Sequence, residues 1–185
     1  MAIQLAHRLI NVKEYRLMAT AGILKENDRV ELINGQILEM SPIGSRHAAV
    51  VDRISNVLKY YLQEKVIVRV QNPVEIDELS EPEPDVCLLK FRKDYYADQH
   101  PVPQDILLII EVADSSLTLD REVKLPLYAK AGITEYWIVN LERNEIEAYR
   151  SPQEDIYTIR EIIRRNKPID LPNLDLTLPV KELIG

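Results

Sequence analysis

Five consecutive aliphatic residues, Ile106 to Ile110, run directly into Glu111 and Val112. An unbroken apolar run of this length between polar residues suits a strand buried on both faces, so the chain has to build a sheet with a covering layer on either side. A glutamate that closes such a strand is costly to bury unless something positive compensates it. A structural arginine or a metal ion would serve.

At 185 residues the chain is expected to form one domain, 1–185, long enough to bury a full core. No stretch approaches the length of a membrane span, and Met1 to Val12 lacks the apolar segment of a secretory signal. The single cysteine, Cys87, excludes an internal disulfide and a cysteine-rich zinc site. Lying among apolar residues, it reads as a small core residue. A cytoplasmic protein with no membrane partner is the expectation. The formal net charge of -7 argues against coating nucleic acid by bulk attraction. It leaves room for a local basic groove.

Asn11 to Ala21 is expected to be a short helix capped by Asn11, with Tyr15, Leu17 and Met18 on its apolar side. Two alternating runs, Arg29 to Ile33 and Gln36 to Met40, flank Asn34-Gly35, the pair preferred in a two-residue hairpin turn. Val30, Leu32, Ile37 and Met40 would face inward. From Arg46 to Lys65 apolar residues recur at helical spacing, with Ser45 or Ser41 as the expected cap and His47 near the start. Val66 to Ile76 reads as a strand, Asp77 to Pro84 as a loop, and Asp85 to Leu89 as a short apolar strand. Leu119 to Ala131 is expected to be a helix ending at Gly132, kinked or restarted at Pro126. Asp120, Lys124 and Tyr128 would share one face of it. Glu135 to Val139, Glu145 to Arg150 and Ile156 to Ile163 complete the strands, followed by an extended tail and a short closing helix. The sum is an α/β fold with a mixed sheet.

Asp85 and Glu111 each end a short apolar strand, and neighbouring strands would bring them together. Converging carboxylates repel unless a proton or cation lies between them. Hard oxygen donors suit Mg²⁺ or Mn²⁺, with the Val112 carbonyl as a further ligand. Such an ion polarises a phosphoryl oxygen and acidifies water. Lys124, thirteen positions after Glu111, would position or activate that water, and Glu31 would orient it or add an outer carboxylate. The bland alternative is a turn at Asp85, a structural Glu111–Lys124 pair and a solvated Glu31. Residue types and spacing leave both readings open.

Pro84-Asp85 followed by Glu111-Val112 resembles the PD-(D/E)xK nuclease signature. Four stretches resemble, more specifically, the Uma-two family of restriction-endonuclease-like proteins: Val30 to Ile37, Met40-Ser41-Pro42 through His47, Glu83 to Val86, and a long one from Glu111 to Val139. The resemblance covers nearly the whole chain. It implies a restriction-endonuclease-like core, a mixed β-sheet flanked by helices, here with an N-terminal helix and β-hairpin. It also implies a divalent-metal phosphodiesterase acting on DNA, with the three motif acids on Glu31, Asp85 and Glu111. The signature's lysine, two residues after the third acid, is Ala113 here, and Lys124 on the following helix is the replacement the family pattern implies.

Several other residues have two readings. His47 is either structural or a phosphate contact, and Tyr128 either packs or holds Lys124. Tyr136 and Trp137 read as core or interface rather than a base-stacking platform. Lys90, Arg92 and Lys93 are expected as a basic cluster beside the site, solvated or touching phosphate. The leading expectation is a metal-dependent endonuclease, and a dimer is the working guess because duplex cleavage needs two cuts. A non-catalytic binding or scaffolding module keeping the nuclease fold is the alternative, and a hydrolase of small phosphorylated substrates is a third.

Overall fold

The computed structural model describes residues 7–25 and 27–185. The expectation for Met1 to Val12 therefore lies, for residues 1–6, outside the described residues. Asn11 caps α1 (Val12–Thr20) through a reciprocal box. Its side chain accepts from the Glu14 amide at 2.9 Å, and the Glu14 carboxylate accepts from the Asn11 amide at 3.1 Å. Leu17, expected inside, is exposed. Strands β1 (Val30–Ile33) and β2 (Gln36–Glu39) form the expected hairpin, with φ of 50° at Asn34 and 75° at Gly35. The loop after Asp77 lies along β1: the Glu81 amide donates to the Leu32 carbonyl at 2.8 Å, and Gly35 donates to Leu79 at 2.7 Å. This second neighbour is why Glu31, Leu32 and Ile33 are all buried.

Helix α2 (Ser45–Leu62) carries Val50, Val51, Ile54, Leu58 and Leu62 on its buried face. Gly44, rather than either serine, occupies its cap position, and Tyr61 is exposed. Strand β3 (Val66–Val70) is shorter than expected, because Gln71 turns into the left-handed region at φ 50° and Pro73 follows. After β4 (Val86–Lys90) and β5 (Ile106–Ala113) the chain crosses over through α3 (Leu117–Leu119), a π-helical turn (Asp120–Lys124) and α4 (Leu125–Lys130). The expected break at Pro126 thus takes the form of a wide turn just before the proline. Strands β6 (Glu135–Asn140), β7 (Glu145–Gln153) and β8 (Ile156–Arg164) follow. The tail is a small hairpin, β9 (Pro168–Leu171) with β10 (Leu176–Pro179), and α5 (Val180–Ile184).

The main sheet has the order β3-β4-β5-β6-β7-β8. Only the β5–β6 pair is parallel, and its return crossover is what the helical connection supplies. One face packs Val86, Leu88, Leu108 and Ile110 under α2 and α5; the other packs Cys87, Ile109, Tyr136 and Ile138 under α4. Leu108, Ile109 and Ile110 have no exposed surface, so Leu108→Ala is expected to cost about 2–5 kcal/mol. Tyr136, Trp137 and Cys87 lie in the core as expected. Among the described residues no helix is long and apolar enough to cross a membrane.

Candidate functional site

Val86 pairs with Ile110 in the antiparallel β4–β5 ladder, so one step further along the register Asp85 stands level with Glu111. The Asp85 amide donates to Glu111 Oε2 at 3.4 Å, and the Val112 amide donates to Asp85 Oδ2 at 2.9 Å. Across the site, Lys124 Nζ lies 3.1 Å from Glu111 Oε1 and 3.1 Å from Glu31 Oε2. The structure therefore brings Glu31, Asp85, Glu111, Val112 and Lys124 into one cluster, at the foot of a cavity of about 260 Å³.

Lys124 is the last residue of the π turn. Glu111 and Ala113 share the sheet face covered by α4, and Ala113 is buried in its apolar cluster. Lys124 enters from the covering layer, with Tyr128 one turn on donating its hydroxyl to Glu111 Oε1 at 3.0 Å. Asp120, also buried, accepts from the Ser116 hydroxyl at 2.7 Å. The expected shared face of Asp120, Lys124 and Tyr128 is the face turned to Glu111.

Positive charge is scarce here. Seven carboxylates line the cavity (Glu31, Glu39, Glu83, Asp85, Glu111, Asp114, Asp120) against Arg29, Lys124 and one histidine. Burial pushes the Glu111 carboxyl up to about 8; Lys124 pulls it down, while Asp120, Asp85 and Glu31 push it further up. Burial likewise raises Asp120, to about 6. Burial works against the Lys124 ammonium, but Glu111, Glu31 and Asp120 hold it well above the usual lysine range. Asp85 behaves oppositely. Burial would raise it, yet the His47 hydrogen bond and charge, the Val112 amide and Gln71 keep it below the ordinary carboxylate value.

Among the described residues no three His, Cys, Asp or Glu side chains form a ready-made ligand shell. Two adjacent carboxylates within an acid excess are a donor set that fits a hard divalent cation which fills its remaining positions with backbone oxygen and water. A proton on Glu111 meets the same electrostatic need that such a cation would meet.

Two contributors escaped the sequence reading, and a third, His47, was named there without its partner. Gln71 donates to Asp85 Oδ1 at 3.2 Å, and the Glu83 amide donates to Glu31 Oε2 at 3.2 Å. His47 Nε2 contacts Asp85 Oδ2 at 3.0 Å, a partner that its place at a helix start did not indicate. The basic cluster needs correcting. Lys90 lies at the far end of β4 from Asp85, roughly 17 Å away at the usual strand rise. Arg92 pairs with Asp94 and stacks 4.3 Å over Tyr96, and neither it nor Lys93 lines the cavity.

A family profile described as "Uma2: Putative restriction endonuclease" matches residues 12–181. Among solved structures, the chain is similar to one described as a putative nuclease belonging to DUF820 from Anabaena variabilis. The TM-score is 0.71 at 16% identity, covering 95% of this chain and 97% of that one. At that identity the likeness is one of fold. Among curated proteins no sequence matches this chain.

Proposed function

This chain belongs to the Uma2 restriction-endonuclease family, and from that premise we propose that it is a metal-dependent DNA endonuclease, a single domain over 1–185 working in the cytoplasm. The observation that carries the reading is the acid excess gathered around one buried lysine. Asp85, Glu111 and the carbonyl of Val112 would hold Mg²⁺ or Mn²⁺. The Val112 amide points toward Asp85, and in a strand a residue's carbonyl turns to the same edge. When bound, the ion supplies polarisation of a phosphoryl oxygen and acidification of water.

The chain's own residues supply the rest. Asp85 stays ionised under its three donors. Lys124 stays charged, so it acts as a fixed positive group that positions the attacking water and offsets phosphate charge; its raised pKa makes it a poor base. Glu31 holds Lys124 jointly with Glu111 and, through the Glu83 amide, ties the hairpin to the loop before Asp85. Tyr128 orients Glu111. A homodimer would supply the two cuts that a duplex requires.

Plasmid nicking with Mg²⁺ or Mn²⁺ tests this, run beside Asp85→Ala and Glu111→Ala. Cleavage by the wild type, lost in both variants, is the expected result. Cleavage that survives both substitutions would overturn the assignment. One observation favours the non-catalytic reading: each oxygen of Asp85 and Glu111 already accepts from a donor within the protein. That reading predicts a melting temperature indifferent to Mn²⁺.

A further inference from the structure

Gln71 ends β3 at φ 50°, a left-handed conformation that glycine adopts freely and glutamine does not. Its backbone amide donates to the carbonyls of Pro84 at 3.1 Å and Asp85 at 3.2 Å. Glycine would make both of those bonds without strain. What glutamine adds is the carboxamide, whose Nε2 reaches Asp85 Oδ1 at 3.2 Å. His47 and the Val112 amide both hold the other oxygen, Oδ2. Among the described residues Gln71 is thus the donor that fixes Oδ1 and the rotation of the carboxylate. One residue grips the Pro84-Asp85 step by its backbone and its side chain together.

We propose that Gln71 is a positioning residue for the divalent cation, retained in a strained backbone so that its carboxamide sets the Asp85 carboxylate toward the ion. This rests on Asp85 being a metal ligand. Partners of a ligand commonly govern affinity by fixing its orientation, and backbone strain concentrates at such places. A residue kept only for chain geometry would instead be improved by glycine, which relieves the strain.

The two roles separate experimentally. Mn²⁺ binding to the full chain is measured by calorimetric titration and by the electron paramagnetic resonance signal of free Mn²⁺, for wild type, Gln71→Gly and Gln71→Met. The metal-free melting temperature is recorded alongside. Gln71→Gly is expected to melt at or above the wild-type temperature while binding Mn²⁺ roughly 10–100-fold more weakly. Gln71→Met, of similar size and equal strain, is expected to lose affinity to the same extent. If wild type binds Mn²⁺ and both variants bind within about twofold of it, far inside the range for such partners, the positioning role is refuted. If Gln71→Gly melts lower and Gln71→Met binds normally, the side chain is structural and the proposal falls. If wild type binds no Mn²⁺, the metal reading of Asp85 fails, and the role of Gln71 fails with it.

Discussion

Glu111 on β5 and Glu147 on β7 are both shut away from solvent, with side chains 5% and 0% exposed. They are compensated in opposite ways. Glu147 takes Arg121 Nε at 3.2 Å, Arg160 at 3.0 Å and the Tyr149 hydroxyl at 2.7 Å. Burial works against its charge, yet the Arg121 and Tyr149 hydrogen bonds and the Arg121 charge hold it below the ordinary carboxylate value. Glu135 also has an arginine partner, Arg150 at 2.8 Å, although burial still leaves its carboxyl raised. Glu111 shares a single lysine with Glu31 and sits near Asp85 and Asp120, and its carboxyl rises accordingly. The chain has arginines to neutralise a buried acid and uses them elsewhere. A cluster left short of positive charge beside a cavity is the imbalance that the proposed cation would relieve.

That contrast can be broken most forcefully at the site itself. Asp85→Ala or Glu111→Ala should lower the nicking rate by more than the ~100-fold upper end typical of removing a ligand's outer partner; a smaller loss would place the chemistry elsewhere. Saturating Mn²⁺ should stabilise wild type and Glu147→Gln alike, by about 2.7 kcal/mol at a hundred times Kd, and leave Asp85→Ala unmoved in thermal melts. Glu147→Gln strips a charged acceptor from two arginines and should cost about 2 kcal/mol in urea unfolding.

The acids should also respond to pH with opposite signs. Glu147 is depressed below 4.5, so its contribution is complete above that value and is lost as pH falls through the folded-state value. Asp120 is raised from 3.8 to about 6. The folded state therefore keeps a proton that the unfolded chain has released, and the contribution fades as pH rises from 3.8 to about 6. Stability measured across pH 3–7 should show a shallower acid-side slope in Glu147→Gln, where Asp85 still contributes, and a shallower decline between pH 4 and 6 in Asp120→Asn, where Glu111 still contributes. The smallest effect belongs to Glu111→Gln without metal. The amide oxygen still accepts from Lys124 and Tyr128 and only the long 3.4 Å bond from the Asp85 amide is lost, so unfolding should shift by about 1 kcal/mol. A cost equal to that at Glu147 would erase the distinction between the two regions.

What could be read beforehand was local. The buried strand at Ile106–Ile110 and the turn at Asn34-Gly35 announce themselves within a few residues, because side-chain period and turn chemistry are short-range properties. Asp85, Glu111, Lys124 and Glu31 stand out by strand ends and spacing, which leave a structural ion pair equally open; motif resemblance favours a site, and the fold brings the four together. Gln71 stayed hidden because a left-handed backbone carries no signal when the residue is not glycine. His47 and Asp85 meet across 38 positions of chain, which no local pattern reports. Lys90 misled for the opposite reason: closeness in sequence along an extended strand is distance in space.

The π turn between Asp120 and Lys124 has an evolutionary implication. An α-helix rotates by about 100° per residue, and single wide turns are often found at functional sites. Removing one residue between Leu117 and Lys124 changes the register of Asp120 against Lys124, while the paired residues of β5 and β6 lie outside the altered turn. A lineage carrying this fold could rebuild the proposed site by a single in-frame deletion or insertion in this turn.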